Sequence, residues 1–339
     1  MIAVALSGGI DSAAAAVLLH AQGERIMGVT MRLGDDLPKK EDITFAARLC
    51  TRLGIPYHMI DLRNEFFAIK DYFCAAYLAS RTPNPCSICN RDMKFGELLH
   101  KAKALGADTL ATGHYVKKGF SGDRVFLTRT GWKNSQEYFL GLITQDALKH
   151  ACFPLGDMTR LQAEELVRST GIDSQSRASS QDVCFIRGDY VAFIQKLTGF
   201  MPRPGPILDI QGRPIGTHRG AIAYTIGQRK GLSMGFGRRM YVLAVDVNKN
   251  TITIGDRSAW PRRGFSIRQV NFMRIPALDA PIKAKIRVRY KQEPIPATVH
   301  PIPEGLWVEF SGLVAPGQLA VIYDSTDSIL CAGPIEHPL

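Results

Sequence analysis

Nowhere in the 339 residues does an apolar run approach the roughly 18 residues that a membrane-spanning helix needs. Met1 leads straight into IAVAL and a glycine turn, without the charged and long apolar segments of a secretory signal. Material for a disulfide framework is short too: the seven cysteines (50, 74, 86, 89, 152, 184 and 331) are odd in number and mostly scattered. In a chain this long, that argues for free thiols, metal or redox chemistry in a reducing compartment, and the expected location is cytoplasmic. A composition of 45% hydrophobic and 22% charged residues excludes a disordered or fibrous chain. The length leaves room for two or three domains. Acidic residues are the minority, 31 against 42 Lys+Arg, and the net charge of +11 points to a polyanionic partner. The bias is densest between Arg257 and Pro294, where ten basic residues face two acidic ones, with Trp260, Phe265, Phe272 and Tyr290 interleaved. Nucleic acid is the partner that fits this mixture best.

The first hundred residues alternate short apolar runs with helical patterns. IAVAL (2–6), IMGVTM (26–31), YHMIDL (57–62) and DTLAT (108–112) read as strands. Segments 11–23, 41–54, 65–80 and 91–106 read as helices. Such alternation predicts an α/β fold, a parallel sheet covered by helices on both faces, with ligands at the carboxyl ends of its strands. After about residue 195, proline and glycine become frequent. From about 265 the chain alternates in the β manner (FSIRQVNF, KAKIRVRY, ATVHPI, LWVEF, LAVIY), which predicts a small barrel or sandwich. Three parts are expected: a catalytic α/β domain 1–195, a small α+β connector 196–265 and a C-terminal β-barrel 266–339. There are no internal repeats.

The first expected strand ends in SGGIDS, Ser7 to Ser12, and a helix follows at once. Gly8 and Gly9 leave room for backbone N–H groups to approach an anion, the helix start adds partial positive charge, and the Ser7 and Ser12 hydroxyls can donate. The lysine of a Walker A loop is missing. With Asp11 placed to hold a metal–pyrophosphate, the hexapeptide resembles the PP-loop of the N-type ATP pyrophosphatases. That resemblance implies cleavage of ATP, with Mg2+, to AMP and pyrophosphate, and a nucleotide held by Leu6, Ser7, Gly8, Gly9, Asp11 and Ser12.

Further phrases accompany it: TPNPCSICNRDMKFG (82–96), LGADTLATGHY (105–115), EYFL (137–140), FPLG (153–156), SQDVCFI (180–186), GTHRGAIAYTIGQRKGL (216–232), RVRYKQEP (287–294) and APGQLAVIYD (315–324). In this order and spacing they resemble the MnmA-type tRNA-uridine 2-sulfurtransferases from Met1 nearly to the C-terminus. The resemblance implies adenylation of the C2 oxygen of a wobble uridine, followed by sulfur attack. It implies a persulfide on Cys184 and a partner thiol at Cys89, Met31 and Gly113 at the nucleotide, and His114 near both nucleotide and target base. It also implies tRNA contacts by Asn84, Pro85, Arg289, Tyr290 and Gln318. Sulfur would come from a cysteine desulfurase, a relay protein or free sulfide.

The chain departs from the family's common form in three places, the first being the short segment LGDDLPKK after the second expected strand. Cys86 stands where an aspartate thought to act as general acid/base is usual, and Ser135 stands where another aspartate is expected. Cys86, Cys89 and Cys184 thus form a set of three thiols. Three readings stay open: a 4Fe–4S cluster with one open iron, persulfide/disulfide chemistry with Cys86 as an extra thiol, and structural zinc, which lacks a fourth ligand. Outside this family, another PP-loop ligase or a non-catalytic RNA-binding protein would have no need of the three thiols.

Overall fold

The protein is described here by a computed structural model. It describes residues 1–132, 134–172, 183–232, 239–260 and 263–338, the side chains of 337 and 338 excepted. The strands β1 (Ile2–Ala5), β2 (Ile26–Arg32), β3 (Tyr57–Asp61) and β4 (Thr109–Ala111), with Ala151–Cys152, form one sheet. Its order is β3-β2-β1-β4 and then 151–152, and every neighbouring pair is parallel. In β1, Ala3 and Val4 are both fully buried and belong to different cores, one on each face of the sheet. A strand covered on both sides has no reason to alternate polar with apolar residues, which is why IAVAL is apolar throughout.

Three helices follow the strands: α1 (Ile10–Ala21), α2 (Lys40–Leu53) and α3 (Arg63–Leu78). The AAAA run of α1 is fully buried, and such small side chains let it lie close to the helix Arg160–Arg168. α2 stops at Gly54, whose φ of 66° closes the helix in the left-handed conformation that glycine adopts at least cost.

One helix differs from expectation. The segment expected to become helical at residue 91 already does so at Pro85, with Asn84 capping Ser87 N–H at 3.2 Å and Pro85 in the first helical position. The two cysteines of CSIC therefore lie inside the helix. From Cys89 to Leu98 the turn is widened to π type, as the bond from Leu99 N–H to Lys94 C=O shows, and α-helix resumes at Leu99–Ala104. Wide turns of this kind gather at functional sites.

Past Thr198 come two β units. Gly205–Leu208, Pro214–His218, Tyr241–Asp246 and Thr251–Gly255 make a four-stranded sheet beside the helix Tyr190–Thr198. The C-terminal strands close into a barrel, in ring order Phe265–Ile267, Gly305–Glu309, Ile295–Ile302, Ile282–Arg287, Leu319–Tyr323 and Ile329–Pro338. Closure is made by Phe265–Ile267 pairing with Ile329–Pro338, which leaves the ring without an open edge. FSIRQVNF, read as one strand, is two (Phe265–Ile267 and Asn271–Phe272). The closing strand 329–338 and the hairpin Lys117–Ser121/Arg124–Thr128 were not anticipated. Among the described residues no helix is long and apolar enough to cross a membrane.

Candidate active site

The carboxyl ends of β1, β2 and β4 carry the residues expected at a nucleotide. Leu6 is buried in the core and presents only backbone, its N–H bonded to Val29 C=O at 2.8 Å and its own C=O accepting from Thr30 Oγ1 at 2.8 Å. Gly8 turns the chain at φ 80°, and a Cβ there would overlap Asp42. Gly9 caps α1 without a side chain, so no side-chain cap competes for the first-turn N–H groups of this 12-residue helix. Ser12 Oγ donates to Gly9 C=O at 2.8 Å, accepts from Ser7 N–H at 3.2 Å and lies 3.3 Å from Ser7 Oγ. Asp11 accepts from Tyr115 OH at 2.7 Å and faces the Arg160 guanidinium at 3.8 Å. Met31, at the end of β2, packs against the core.

The ATGHY segment joins this loop to the thiols. Gly113 lies flat on the first turn of α1: an added Cβ would sit 2.5 Å from the Asp11 carbonyl carbon. Next to it, His114 Nδ1 lies 2.8 Å from Thr112 Oγ1, and His114 Nε2 lies 3.4 Å from Lys94 Nζ. An ammonium can only donate, so Nε2 is the acceptor and Nδ1 carries the proton toward Thr112. Burial, helped by the Lys94 charge, holds the His114 pKa well below its ordinary value and keeps the ring neutral.

Lys94 belongs to the wide-turned helix that carries Cys86 and Cys89. Cys89 packs against the core, and burial pushes its thiol up to about 12, opposed by Lys94 and reinforced by Cys184 and Cys86. Burial also raises Cys86 and Cys184, and the Lys94 charge opposes the shift in both. Cys184 is exposed along the chain, yet enough protein crowds its sulfur to produce that rise. The fold therefore brings residues 86, 89 and 184 within electrostatic reach of one another. Among the described residues, however, no three His, Cys, Asp or Glu side chains come close enough to hold a metal. Ser180, Gln181 and Asp182 of SQDVCFI lie outside the described residues.

The residues expected at tRNA divide into two groups. Asn84 and Pro85 are buried at the helix start, and Gln318 Nε2 donates to the Thr82 and Pro83 carbonyls at 3.3 and 3.2 Å. Together with Thr82 N–H to Pro316 C=O (2.7 Å) and the two-pronged pair of Arg81 with Glu336 (2.8 Å each), they clamp TPNP onto the barrel. Arg289 is exposed and reaches the Ile226 carbonyl, 3.4 Å away, over Gly227. Tyr290 packs on Phe139 with ring centroids 4.4 Å apart. Ser135 joins a buried network, donating to Glu137 Oε2 at 2.5 Å, while Arg287 and Tyr323 of the barrel engage Glu137 Oε1.

Lys94, Tyr115 and Arg160 were not singled out from the sequence. Lys94 and Tyr115 stand within motif phrases, but nothing in helical spacing of 3.6 puts Lys94 beside Cys89. Arg160 has no motif of its own.

A parallel sheet whose first strand empties through a glycine turn onto an uncapped helix N-terminus defines a PP-loop α/β protein of the HUP type. Residues 1–188 match the tRNA methyl transferase HUP domain, 191–256 the tRNA methyl transferase PRC-barrel domain and 262–335 the aminomethyltransferase beta-barrel domain. The tRNA-specific 2-thiouridylase MnmA of Moorella thermoacetica is 39% identical over 98% of this chain and 98% of its own. Those of a Synechococcus strain (39%, over 99% and 94%) and of Clostridioides difficile (35%, over 100% and 98%) are similar over like spans. The chain belongs to this family, the tRNA-specific 2-thiouridylases. A solved U34-tRNA thiolase NcsA from Methanococcus maripaludis covers 58% of this chain and 64% of its own at 17% identity and TM-score 0.37, too loose a likeness to bear on the chemistry.

Proposed function

We propose that this chain is an ATP-dependent tRNA-uridine 2-sulfurtransferase in which Cys184 and Cys89 handle the sulfur. The observation that carries the reading is the bridge at 113–114. Gly113 rests on the phosphate-cradling turn, and His114 touches the lysine that sits among the thiols. One segment thus spans the place where ATP would be split and the place where sulfur would be delivered.

In this reading the N–H groups of Gly8, Gly9 and the α1 start hold the phosphates of ATP, Ser7 donates to them, Ser12 donates once its hydroxyl turns away from Gly9 C=O, and Asp11 would hold Mg2+. Uridine O2 attacks the α-phosphorus and pyrophosphate leaves. The terminal sulfur of a Cys184 persulfide then attacks C2; a C–S bond forms as the C2–O bond breaks, and AMP departs with that oxygen. The Cys89 thiolate attacks the Cys184 sulfur, breaking the S–S bond and leaving sulfur on the base. A Cys89–Cys184 disulfide results, which a thiol reductant returns to two thiols. Neutral His114 fits a hydrogen-bonding role beside the base. Arg289 and Tyr290 present a charge and a ring to tRNA, and the TPNP clamp fixes Asn84 and Pro85 at the helix start. The division 1–195, 196–265 and 266–339 and the cytoplasmic location belong to the same proposal, as does the sulfur supply: a desulfurase or relay protein passes persulfide sulfur to the Cys184 thiol, or sulfide attacks Cys184 of the Cys89–Cys184 disulfide and breaks its S–S bond, giving the Cys184 persulfide and the Cys89 thiol.

The test is mass spectrometry of tRNA incubated anaerobically with ATP and a sulfur source, with and without added iron. We expect 2-thiouridine from the wild type, and at least a hundredfold less from Cys184→Ala and Cys89→Ala while both still form AMP. Thiolation that demands about four irons per chain would replace the persulfide route by a cluster. An active Cys184→Ala would remove the sulfur assignment.

A further inference from the structure

Among the described residues, Lys94 is a cation without a counter-charge. It is half-buried, and among the described residues no carboxylate lies within 4 Å of it. Its helical neighbour Arg91 takes up Asp92, at 2.5 Å. The Lys94 ammonium instead faces the acceptor nitrogen of neutral His114, at 3.4 Å. Removing an ammonium from water without pairing it is costly, so a half-buried position of this kind is held for an anion that arrives.

The neighbours say which anion. The π-type turn from Cys89 to Leu98 places residues five apart on one face, and Lys94 is five residues after Cys89. Cys86 stands three residues before Cys89 on the same run, and Cys184 lies near enough for the Lys94 charge to act on its thiol. Among the described residues, the groups here that can become anionic and are unmatched by another cation are sulfurs. Asp11 of the phosphate loop is served instead by Tyr115 and Arg160.

We propose that Lys94 is the counter-ion of the reacting sulfur, stabilising the thiolate or persulfide anion at the Cys89/Cys184 pair. The proposal rests on the sulfurtransferase reading, but its test separates the two. In the full chain without tRNA, iodoacetamide labelling of Cys184 is followed by mass spectrometry at one fixed neutral pH. Lys94→Met is expected to slow it about tenfold and Lys94→Arg to restore most of the rate. With ATP and tRNA, the ratio of 2-thiouridine to AMP should fall about tenfold in Lys94→Met and recover in Lys94→Arg. A purely structural lysine would not move that ratio. Unchanged labelling in Lys94→Met overturns the proposal. So does an unchanged ratio with both products reduced together, which would assign Lys94 to the ATP half. If the wild type makes no 2-thiouridine, the functional reading fails by itself, and the labelling comparison still decides the role of the charge.

Discussion

Gly113 shows how much a single missing methyl group can carry. Its absent Cβ would meet the Asp11 carbonyl carbon at 2.5 Å and Ser12 N at 2.6 Å, all backbone that cannot swing aside. Gly113→Ala should therefore shift the α1 start. We expect AMP formation to fall at least about tenfold and stability by about 1–3 kcal/mol, the usual cost of overpacking, with Cys184 labelling unchanged. Kinetics of ATP cleavage and a thermal melt check both. His114 makes a pH prediction. Its pKa is depressed by burial and by Lys94, so the unfolded chain binds the proton more readily. Stability from this residue is complete above its unfolded value near 6.5 and drains away as pH falls toward the folded value. A melting-temperature series on wild type and His114→Gln checks this: the variant should lose part of the acid-side decline. His114 could be singled out from the sequence through its phrase, but its neutrality could not. That depends on Lys94, 20 residues earlier, and on the packing of Phe153 against the ring.

The helix starting at Pro85 was legible only in part, because TPNP reads as loop chemistry while Asn84 and Pro85 are in fact its cap and first position. The neighbouring EYFL turn was legible as a phrase and opaque as a structure. In strand Ile282–Arg287, Ile286 points into the barrel, so Arg287 points outward; it is nevertheless only 5% exposed because Glu137, at 0%, covers it from the N-terminal HUP domain. Alternation along a strand tells inside from outside but not solvent from a neighbouring domain. The pair also makes a prediction. Arg287→Met alone leaves a buried Glu137 charge unmatched and should cost about 3–5 kcal/mol. Combined with Glu137→Gln, most of that loss should return, because no isolated charge remains. Thermal melts of the two single variants and the double variant decide it, and a double variant as unstable as Arg287→Met alone would contradict the argument.

The whole molecule carries +11, yet a charge count misjudges where the charge is available. Of the ten basic residues between Arg257 and Pro294, four are already paired: Arg268 with Glu304, Arg274 with Asp324, Lys285 with Asp327 and Arg287 with Glu137. All four partners lie outside that window, so the local excess seen in the sequence is partly cancelled by folding. Arg262 falls outside the described residues. Arg257, Arg263, Lys283, Arg289 and Lys291 are exposed and have no ion pair among the described residues, which leaves their charge free to meet phosphates. Each phosphate that a protein no longer neutralises lowers the slope of log affinity against log salt by about one. Replacing Lys283, Arg289 and Lys291 together by Gln should therefore flatten the salt dependence of tRNA binding by about two to three, read from filter binding across a salt series. The matched control, Arg268→Gln with Lys285→Gln, removes two charges that Glu304 and Asp327 already neutralise and should flatten it by less than about one. Equal effects from the two sets would mean that net charge, not the free charges of the barrel face, governs the encounter with tRNA.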